Sequence, residues 1–510
     1  MESASFLITV GEGVRRTVNY FTAPSIDAGM RERVLSAAAR RGMFLSPEAL
    51  EIVLSNSDPP AFINNVLSNL ANNPMFVTEE DVMGCLSGDA PAFVSPKTIA
   101  PRNKTRSDMT VIKGTDVTGE STCEGKITDF AAYFQDRYAR LRKIIVNKRA
   151  FGGGDMPIEN ALRMDREIRI VGMVGDVRDT KNGHRIMSLE DDKGGHCKAL
   201  ILNDSPHIRD VIVNDSVVGV IGTPSGQGSK RDMIIVKELI KPDVPETNRW
   251  EPSDSTASIA FLSDVHVGST TFLEKEWKRM MDWLKRNSVE REINYLVLPG
   301  DVVDGIGIFP GQEEELSIPD IYGQYARLAE YLKDVPDHIL IAVQPGNHDA
   351  VRPAEPQPAL GKVFTEAFDS NVIMTANPVY LDVEGRKVLS YHGRSIDDWI
   401  AGVQQLTYED PLAVMREMVS GRHMAPSYGQ RTALAPEKKD YLVIEEVPDI
   451  FVTGHVHGAG QMVHRGIRMI NASTWQDQTD YQKRHNFNPS PAIMPVVHLG
   501  TGRVTMENFA

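Results

Sequence analysis

The chain has 510 residues, 41% of them hydrophobic and 24% charged, so it holds enough apolar material for about three domains. Its net charge of −14 excludes a protein that wraps nucleic acid by bulk positive charge, although a local basic groove or a metal site stays compatible with it. Three distant cysteines, Cys85, Cys123 and Cys197, exclude a disulfide framework and a thiolate zinc site.

The apolar runs and the first residues indicate a cytoplasmic protein. The N-terminal sequence lacks the basic and apolar regions of a secretory signal peptide. No apolar run approaches the ~20 residues of a membrane span. We therefore expect a soluble protein with no membrane partner, in a reducing compartment.

Residues 1–87 are predicted to form a small helical domain. The stretches 30–42, 46–54 and 62–71 have helical spacing, and Ser46 before Pro47 is typical of an N-cap followed by the first helical position. Residues 88–164 are predicted to be a linker with one strand at 109–113, followed by an amphipathic helix.

The amphipathic helix in the second segment has an apolar and a basic face. Its apolar face repeats at helical spacing through Phe130, Phe134, Tyr138, Leu141 and Ile145. The basic face carries Arg137, Arg140, Arg142 and Lys143. Two interpretations stay open at this point: a nucleic-acid contact, or a solvated face on a docked helix.

Residues 165–250 change to a period of two and are predicted to form a five-stranded OB-fold β-barrel. Turns rich in Gly, Asn and Asp separate five short strands, and the inner glycines Gly172 and Gly175 suit a small closed barrel. Such barrels often bind single strands through exposed aromatic residues, of which this segment has almost none. We therefore expect a scaffold or a barrel that docks another subunit.

Residues 251–510 alternate apolar strands with helical stretches, which predicts a layered α/β domain. Five of these strands run directly into Asp, Asn or His residues. In chain order these are Asp264 and His266; Asp301 and Asp304; Asn347 and His348; His392; and His455 and His457. Because ligands of open α/β sheets bind outside the carboxyl ends of the strands, we expect the five strand ends to converge on one site.

The residue types at these strand ends indicate a metal centre. Imidazole, carboxylate and amide groups without thiolate suit manganese, iron or zinc. Seven side chains are candidate ligands, more than a single ion with open positions needs, and they fit two ions if one carboxylate bridges them: Asp264, His266, Asp301, Asn347, His392, His455 and His457. Two adjacent ions are suited to displacement at phosphorus.

The motifs D-V-H, G-D-V-V-D, G-N-H-D, Y-H-G and G-H-V-H, in this order, resemble those of the calcineurin-like metallophosphoesterases over roughly the last half of the chain. This resemblance implies an α/β phosphoesterase domain built as a two-sheet sandwich flanked by helices. In this chain that domain would follow the OB-fold barrel and the small helical N-terminal domain.

The whole layout, with the stretches F-L-S-D-V-H-V-G-S, Y-H-G-R-S-I-D-D and N-A-S-T-W-Q-D-Q, resembles the small subunits of archaeal family D DNA polymerases. This resemblance implies a 3′→5′ proofreading exonuclease in a heterodimer with a large catalytic polymerase subunit, acting on single-stranded or mispaired DNA 3′ ends. It also implies a sliding clamp and other replisome proteins as partners, although the chain carries no convincing clamp motif.

The same resemblance implies roles for the site residues. Asp264, His266 and His457 would bind one ion, Asn347, His392 and His455 the other, and Asp301 both. Manganese is expected, with magnesium, iron or zinc as alternatives. His348 would face the scissile phosphate, and Asp304 would orient His348. Gly454 and Gly458 would leave backbone room beside a crowded centre.

Two alternatives share parts of this pattern. A free-standing metallophosphoesterase or nuclease of DNA repair or nucleotide metabolism would share the metal site, but the barrel would have no clear use in it. An inactive structural subunit, as in the eukaryotic relatives of the family, would not need the intact ligand set.

Overall fold

The computed structural model describes residues 28–39, 41, 44–56, 58–69, 76–77, 82, 108–226, 231–484 and 487–510. The chain divides into two compact units, Met1–Asn103 and Lys104–Ala510, which are described separately. None of the helices in the described ranges combines the length and the apolar character that crossing a bilayer requires. The first part of the predicted linker, residues 88–107, lies outside the described residues.

Among the described residues of the first unit, three segments form helices of five or more residues. Their bounds are Ala28–Ala39, Pro47–Leu54 and Pro59–Asn69. Ser46 is an N-cap as expected, since its Oγ accepts the backbone N–H of Ala49 at 3.1 Å. The sequence did not predict a two-stranded parallel sheet that pairs β1 with β2 (Phe44–Leu45 and Phe76–Val77).

The second unit contains the predicted five-stranded barrel. Its strands β4 to β8 are, in chain order, Ile168–Asp179, Arg185–Glu190, His196–Ile201, Val217–Ser225 and Met233–Ile240. The barrel closes in the order β4-β5-β6-β8-β7. A Cβ added at Gly172 would lie 2.8 Å from the Cβ of Leu189, so this inner position needs a glycine. The predicted domain boundaries around the barrel stay predictions.

Arg137, on the basic face of the amphipathic helix, lies neither on a nucleic-acid contact surface nor on a solvated face. The helix Ile127–Val146 packs against the barrel, and Arg137 is fully buried. Its Nε donates to the carboxylate of Asp440 at 2.7 Å, and its Nη1 donates to the carbonyl of Pro426 at 2.6 Å. Arg140 is likewise paired, with Glu445 at 3.0 Å. These acceptors are distant in sequence or placed by the fold, so helical periodicity alone gave the wrong environment.

Two six-stranded sheets form the remainder of the second unit. The first has the order β12-β11-β10-β9-β18-β19, with strands at Val372–Met374, Leu340–Gln344, Ile293–Pro299, Ser258–Phe261, Ile493–His498 and Val504–Asn508. The second has the order β16-β17-β15-β14-β13-β3, with strands at Ala459–His464, Ile467–Ala472, Ile450–Thr453, Arg386–Ser390, Val379–Val383 and Met109–Val111. The predicted strand at 109–113 is thus the edge strand of the second sheet.

The sheets pack face to face with helices on their outer faces. Alternate residues of one strand serve different cores, because neighbouring side chains point to opposite faces. In β9, Ile259 and Phe261 pack between the sheets, whereas Ala260 packs towards the helices Glu274–Asn287 and Ile321–Lys333. The outer face of the second sheet packs against other helices, at Ile396–Gly402 and Pro411–Gly421.

Three shorter helices complete the described structure. They span Ile158–Leu162, Lys362–Thr365 and Asp480–Arg484. Short 3-10 turns lie at Arg149–Phe151, Pro206–Arg209 and Gln312–Glu315. The last of these turns follows a loop beside the candidate site.

Candidate metal centre

The five predicted strand ends meet, and they come from two sheets. β9, β10 and β11 are parallel neighbours in the first sheet, and β14 and β15 are parallel neighbours in the second. Parallel strands place their carboxyl ends at a common edge, so each sheet presents its polar residues together. The two edges face each other, since His266 Nε2 of the first sheet lies 3.1 Å from His457 Nε2 of the second.

One group of candidate ligands consists of Asp264, His266 and His457. Their donor atoms all lie within 4.8 Å of one another, and all three residues are buried. His457 Nε2 lies 3.4 Å from Asp264 Oδ1, and His266 Nε2 lies 4.0 Å from the same oxygen. Three lone-pair atoms therefore converge on one point, as metal ligands do.

A second group consists of Asp301, His392 and His455, whose donor atoms also lie within 4.8 Å of one another. His392 Nε2 lies 3.3 Å from Asp301 Oδ2 and 3.1 Å from Asn347 Oδ1. His455 and His457 therefore belong to different groups, although only one residue separates them in the sequence. The geometry brings together all seven side chains that the sequence singled out as ligands.

Each candidate histidine ligand has a polar partner outside the ligand groups on one of its ring nitrogens. His266 Nδ1 lies 3.1 Å from Asp304 Oδ1, and His392 Nδ1 lies 3.0 Å from the carbonyl oxygen of Pro299. The corresponding contacts of His457 and His455 are Gln482 Nε2 at 2.8 Å and Asp397 Oδ2 at 3.3 Å. Such outer partners fix the orientation of each ring and are typical of metal-ligating histidines.

Asp304 contacts His348 through its backbone carbonyl and not, as predicted, through its carboxylate. Oδ1 of Asp304 contacts His266, and Oδ2 accepts from Gln312 at 3.1 Å, so neither oxygen is directed at His348. The backbone carbonyl of Asp304 instead lies 2.7 Å from His348 Nδ1. Because a carbonyl oxygen only accepts, this contact places the proton on Nδ1 and leaves Nε2 directed away from Asp304.

The carboxylates of the centre are charged at neutral pH. Burial would raise the pKa of Asp301, but His392 and His348 outweigh it and hold that pKa well below its usual range. Burial would likewise raise the pKa of Asp264, but the neighbouring His457 outweighs this effect and lowers that pKa. Asp301 raises the pKa of His392 to about 10 against the effect of burial. A metal ion would therefore displace a proton from His392 on binding.

Five of the candidate ligands have left-handed backbone conformations. Their φ angles are 51° for Asp264, 50° for His266, 48° for Asp301, 69° for His455 and 55° for His457. Each such conformation costs on the order of 1 kcal/mol or more in a residue other than glycine, and strain of this kind clusters at functional sites. At His455 and His457 it also breaks the strand period of two, which is why the two rings face different groups.

Both Gly454 and Gly458 were predicted to leave room beside the carboxylates. The structure agrees for Gly454 and disagrees for Gly458. A Cβ at Gly454 would lie 1.8 Å from Ser263 Oγ and 2.3 Å from Asp264 Oδ2. A Cβ at Gly458 would meet nothing closer than Asn471 Oδ1, at an ordinary 3.4 Å. The prediction for Gly458 is wrong because the chain has already turned away from the carboxylates there.

We expect Gly454→Ala to weaken metal binding by roughly 10-fold to 100-fold, because the added methyl group displaces the carboxylate of Asp264. Equilibrium dialysis with Mn²⁺ measures this change. Gly458→Ala, four residues further along the chain, is the matched control and should bind Mn²⁺ as the wild type does. Equal affinities of the two variants would contradict the assignment of Asp264 as a ligand.

Sequence reasoning missed several side chains that contact the candidate ligands or Asp304. They are Ser263, Asp397, Gln312, Gln476 and Gln482. Asp397 lies in the stretch Y-H-G-R-S-I-D-D and Gln476 in N-A-S-T-W-Q-D-Q, so the motifs contained a signal for both. Trp475, beside Gln476, is a core residue whose ring centroid lies 5.3 Å from that of Trp277.

The donor set fits divalent metal ions. Two groups supply nitrogen and carboxylate oxygen atoms, Asn347 adds an amide oxygen, and the centre includes no thiolate. Mg, Mn, Fe and Zn all accept such ligands, and the donors alone do not select one of them. The carboxylates are charged and partly face imidazoles, which is the arrangement expected of a site that binds cations.

Part of this domain matches a family of DNA polymerase subunits. The family of the B subunits of DNA polymerases alpha and epsilon matches residues 259–459, the segment that carries all five strand ends. The chain is also similar to an archaeal phosphodiesterase of known structure, with a TM-score of 0.26, 9% identity, and coverage of 49% of this chain and 98% of that chain. At that TM-score the structural likeness carries no argument.

Full-length relatives give the particular family. The chain is similar to the DNA polymerase II small subunit of Archaeoglobus fulgidus, with 38% identity covering 92% of this chain and 96% of the relative. The protein of that name from Thermoplasma acidophilum is 37% identical over 92% of this chain and 91% of its own. The protein of that name from Halobacterium salinarum is 36% identical over 94% of this chain and 99% of its own. The chain belongs to the family of archaeal DNA polymerase II small subunits, and the resemblance stated from its motifs is confirmed.

Proposed function

We propose that the chain is the 3′→5′ proofreading exonuclease of a family D DNA polymerase, and that it hydrolyses phosphodiester bonds at single-stranded or mispaired 3′ ends. One observation carries this proposal: all seven candidate ligands lie in two groups that meet beside His348. An inactive structural subunit would not require charged carboxylates, strained backbone and oriented imidazoles at one place.

The two groups of side chains are suited to hold two divalent ions. Asp264, His266 and His457 would hold one ion, and Asn347, His392 and His455 the other. Asp301 contacts both groups, since its Oδ2 is 3.3 Å from His392 Nε2 of the second group and its backbone carbonyl accepts the N–H of His266 of the first at 3.1 Å. When bound, such ions supply positive charge to the phosphate and lower the pKa of the attacking water.

His348 is positioned to act on the leaving group. Its Nδ1 proton is held by the carbonyl of Asp304, so Nε2 is the atom directed at the substrate. Nε2 lies 4.0 Å from Asp301 Oδ2, beside the group that would hold the second ion. Protonated at Nε2, the ring would stabilise the phosphate in the transition state and transfer a proton to the leaving 3′ oxygen.

The small-subunit family supplies the expected partner. The curated relatives carry the name "DNA polymerase II small subunit", and we infer a heterodimer with a large catalytic subunit that holds the DNA. A large partner also accounts for a nuclease whose own net charge is −14, because the partner would supply much of the DNA-binding surface. Sliding-clamp contact is proposed only through that complex.

We expect His348→Ala to lower the single-turnover rate of nucleotide release by about 10²-fold to 10⁴-fold, the usual contribution of a positioned proton donor. His348, His266 and Asp304 form a third group of donor atoms within 4.8 Å of one another, but the proposed ligand sets do not include His348, so Mn²⁺ binding should change little. Rapid-quench assays on a 3′-mispaired primer measure the rate, and dialysis measures the metal. Loss of metal binding together with activity would instead make His348 a ligand.

The control for His348→Ala is His498→Ala, which removes a half-buried histidine from strand β18 and should leave the rate unchanged. Two outcomes would favour other functions. Cleavage of a phosphoprotein or a cyclic nucleotide, with no action on DNA, would indicate a free-standing phosphoesterase. Absence of any hydrolysis in the complex with the large subunit would indicate a structural subunit.

A further inference from the structure

A glycine-rich loop beside the candidate metal centre exposes apolar side chains. Residues 305–311 read G-I-G-I-F-P-G and follow Asp304 directly. Ile306 is 41% exposed and Ile308 is 38% exposed. Gly307 between them has a φ of +74°, a left-handed turn that lets both isoleucines project from one short loop. Ile306 and Ile308 therefore leave apolar surface open beside a polar centre.

The base of this loop is fixed by two buried glutamines. The backbone N–H of Gly305 donates to Gln324 Oε1 at 2.9 Å, and Gln324 Nε2 donates back to the carbonyl of Gly305 at 3.1 Å. At the other side, the backbone N–H of Ile308 donates to Gln312 Oε1 at 2.9 Å. The loop is therefore held in one conformation while its isoleucines stay exposed.

The same hydrogen bonds tie the loop to the centre. Gln312 Nε2 also donates to the carbonyl of Asp304 at 2.9 Å, and that carbonyl contacts His348 Nδ1. A Cβ at Gly305 would lie 2.2 Å from the carbonyl oxygen of His348, so the loop and His348 are in direct backbone contact. Any DNA strand whose terminal phosphodiester reaches His348 must place its last bases close to this loop.

We propose that loop 305–311 is a wedge that packs Ile306 and Ile308 against the last bases of a DNA 3′ end and separates them from the template. Apolar residues such as isoleucine and proline act in this way when they insert between base steps and unstack them. The wedge rests on the proposed exonuclease function, and it explains how a paired or mispaired end would enter a site that needs a single strand.

The charges around the loop favour bases over the phosphate backbone. Three acidic residues, Glu313, Glu314 and Glu315, lie one residue beyond the loop, and no basic residue lies between Asp304 and Glu315. A phosphate would be repelled here, whereas the uncharged face of a base would not. The sugar–phosphate backbone therefore passes on the side of the metal centre, and the bases lie towards the loop.

The test uses the double variant Ile306→Ser/Ile308→Ser in complex with the large subunit. Metal is removed by chelation, and 2-aminopurine at the 3′ terminus of a paired primer reports unstacking by its fluorescence. Wild type should raise the fluorescence, and the double variant should lose most of that rise. Val289→Ser is the matched control, because Val289 is 75% exposed and precedes β10 at the opposite end of that strand from Asp301.

With Mn²⁺ present, the double variant should release nucleotides from paired and mispaired ends about 10-fold more slowly, equivalent to about 1.4 kcal/mol. Its rate on single-stranded DNA should stay within about twofold of wild type. An equal loss on all three substrates, or an unchanged fluorescence rise, would overturn the wedge. Loss of the large subunit with a wild-type fluorescence response would make the loop a protein interface instead.

The metal-free fluorescence separates this proposal from the proposed function. If wild type releases no nucleotide from any DNA but still unstacks the terminal base through the isoleucines, the exonuclease assignment fails and the wedge stands. If wild type degrades single-stranded DNA and the two isoleucines change nothing on paired ends, the wedge fails and the exonuclease assignment stands.

Discussion

Asp301→Asn is expected to reduce DNA hydrolysis by about 10³-fold or more, together with metal binding. In the proposed centre this carboxylate would bind both ions, and it is charged because the surrounding histidines hold its pKa well below its usual range. An amide of the same shape removes the charge that two cations would share. Mn²⁺ stoichiometry should fall together with the rate.

Asp369→Asn makes the same chemical change at an exposed carboxylate outside the metal-binding groups and should leave both quantities unchanged. Rapid-quench kinetics and metal analysis of the purified complex measure the two effects. If Asp301→Asn binds two manganese ions and hydrolyses DNA at the wild-type rate, Asp301 does not lie between the ions and the site is assigned incorrectly.

Arg137→Ala is expected to destabilise the second unit by about 3–5 kcal/mol, because it leaves a buried carboxylate without its partner. Arg137 and Asp440 are both fully buried and 2.7 Å apart. Burial would raise the pKa of Asp440, but His423 and Arg137 outweigh it and hold that pKa well below its usual range. Arg137 also bonds Tyr133 and two backbone carbonyls, so the helix, the barrel and the sheet domain lose a common contact.

Urea unfolding followed by tryptophan fluorescence measures this loss, since all five tryptophans lie between residues 250 and 475, within the second unit. Arg142→Ala on the same helix is the control. Its side chain is 44% exposed and its guanidinium pairs with Asp155, so its removal should cost less than about 1 kcal/mol. Equal effects of the two variants would show that the buried network does not stabilise the domain.

The candidate site could be predicted from the sequence because its information is local. Each ligand follows an apolar strand within a few residues, and parallel strands bring their carboxyl ends to one edge. The strands Ser258–Phe261 and Ile450–Thr453 are short and entirely buried, so the runs before Asp264 and His455 were readable. The division of these strands between two sheets was not derivable from periodicity, because each run is apolar on both faces.

The errors at Arg137 and Asp304 have a common physical origin in long-range pairing. Arg137 was placed on a basic surface because its partner Asp440 lies 303 residues away in the sequence. The carboxylate of Asp304 was assigned to His348, but the fold directs it to His266, which precedes it by 38 residues. Spacing identifies which residues are polar and where strands end. It does not identify which of several nearby groups each carboxylate contacts.

The most direct test of the account is the length of a 5′-labelled DNA strand after incubation with the purified chain, its large subunit and Mn²⁺. We predict that wild type shortens a 3′-mispaired strand in single-nucleotide steps from the 3′ end, and that Asp301→Asn leaves it at full length. A strand that stays intact with wild type, or that both proteins degrade equally, would contradict the proposed exonuclease.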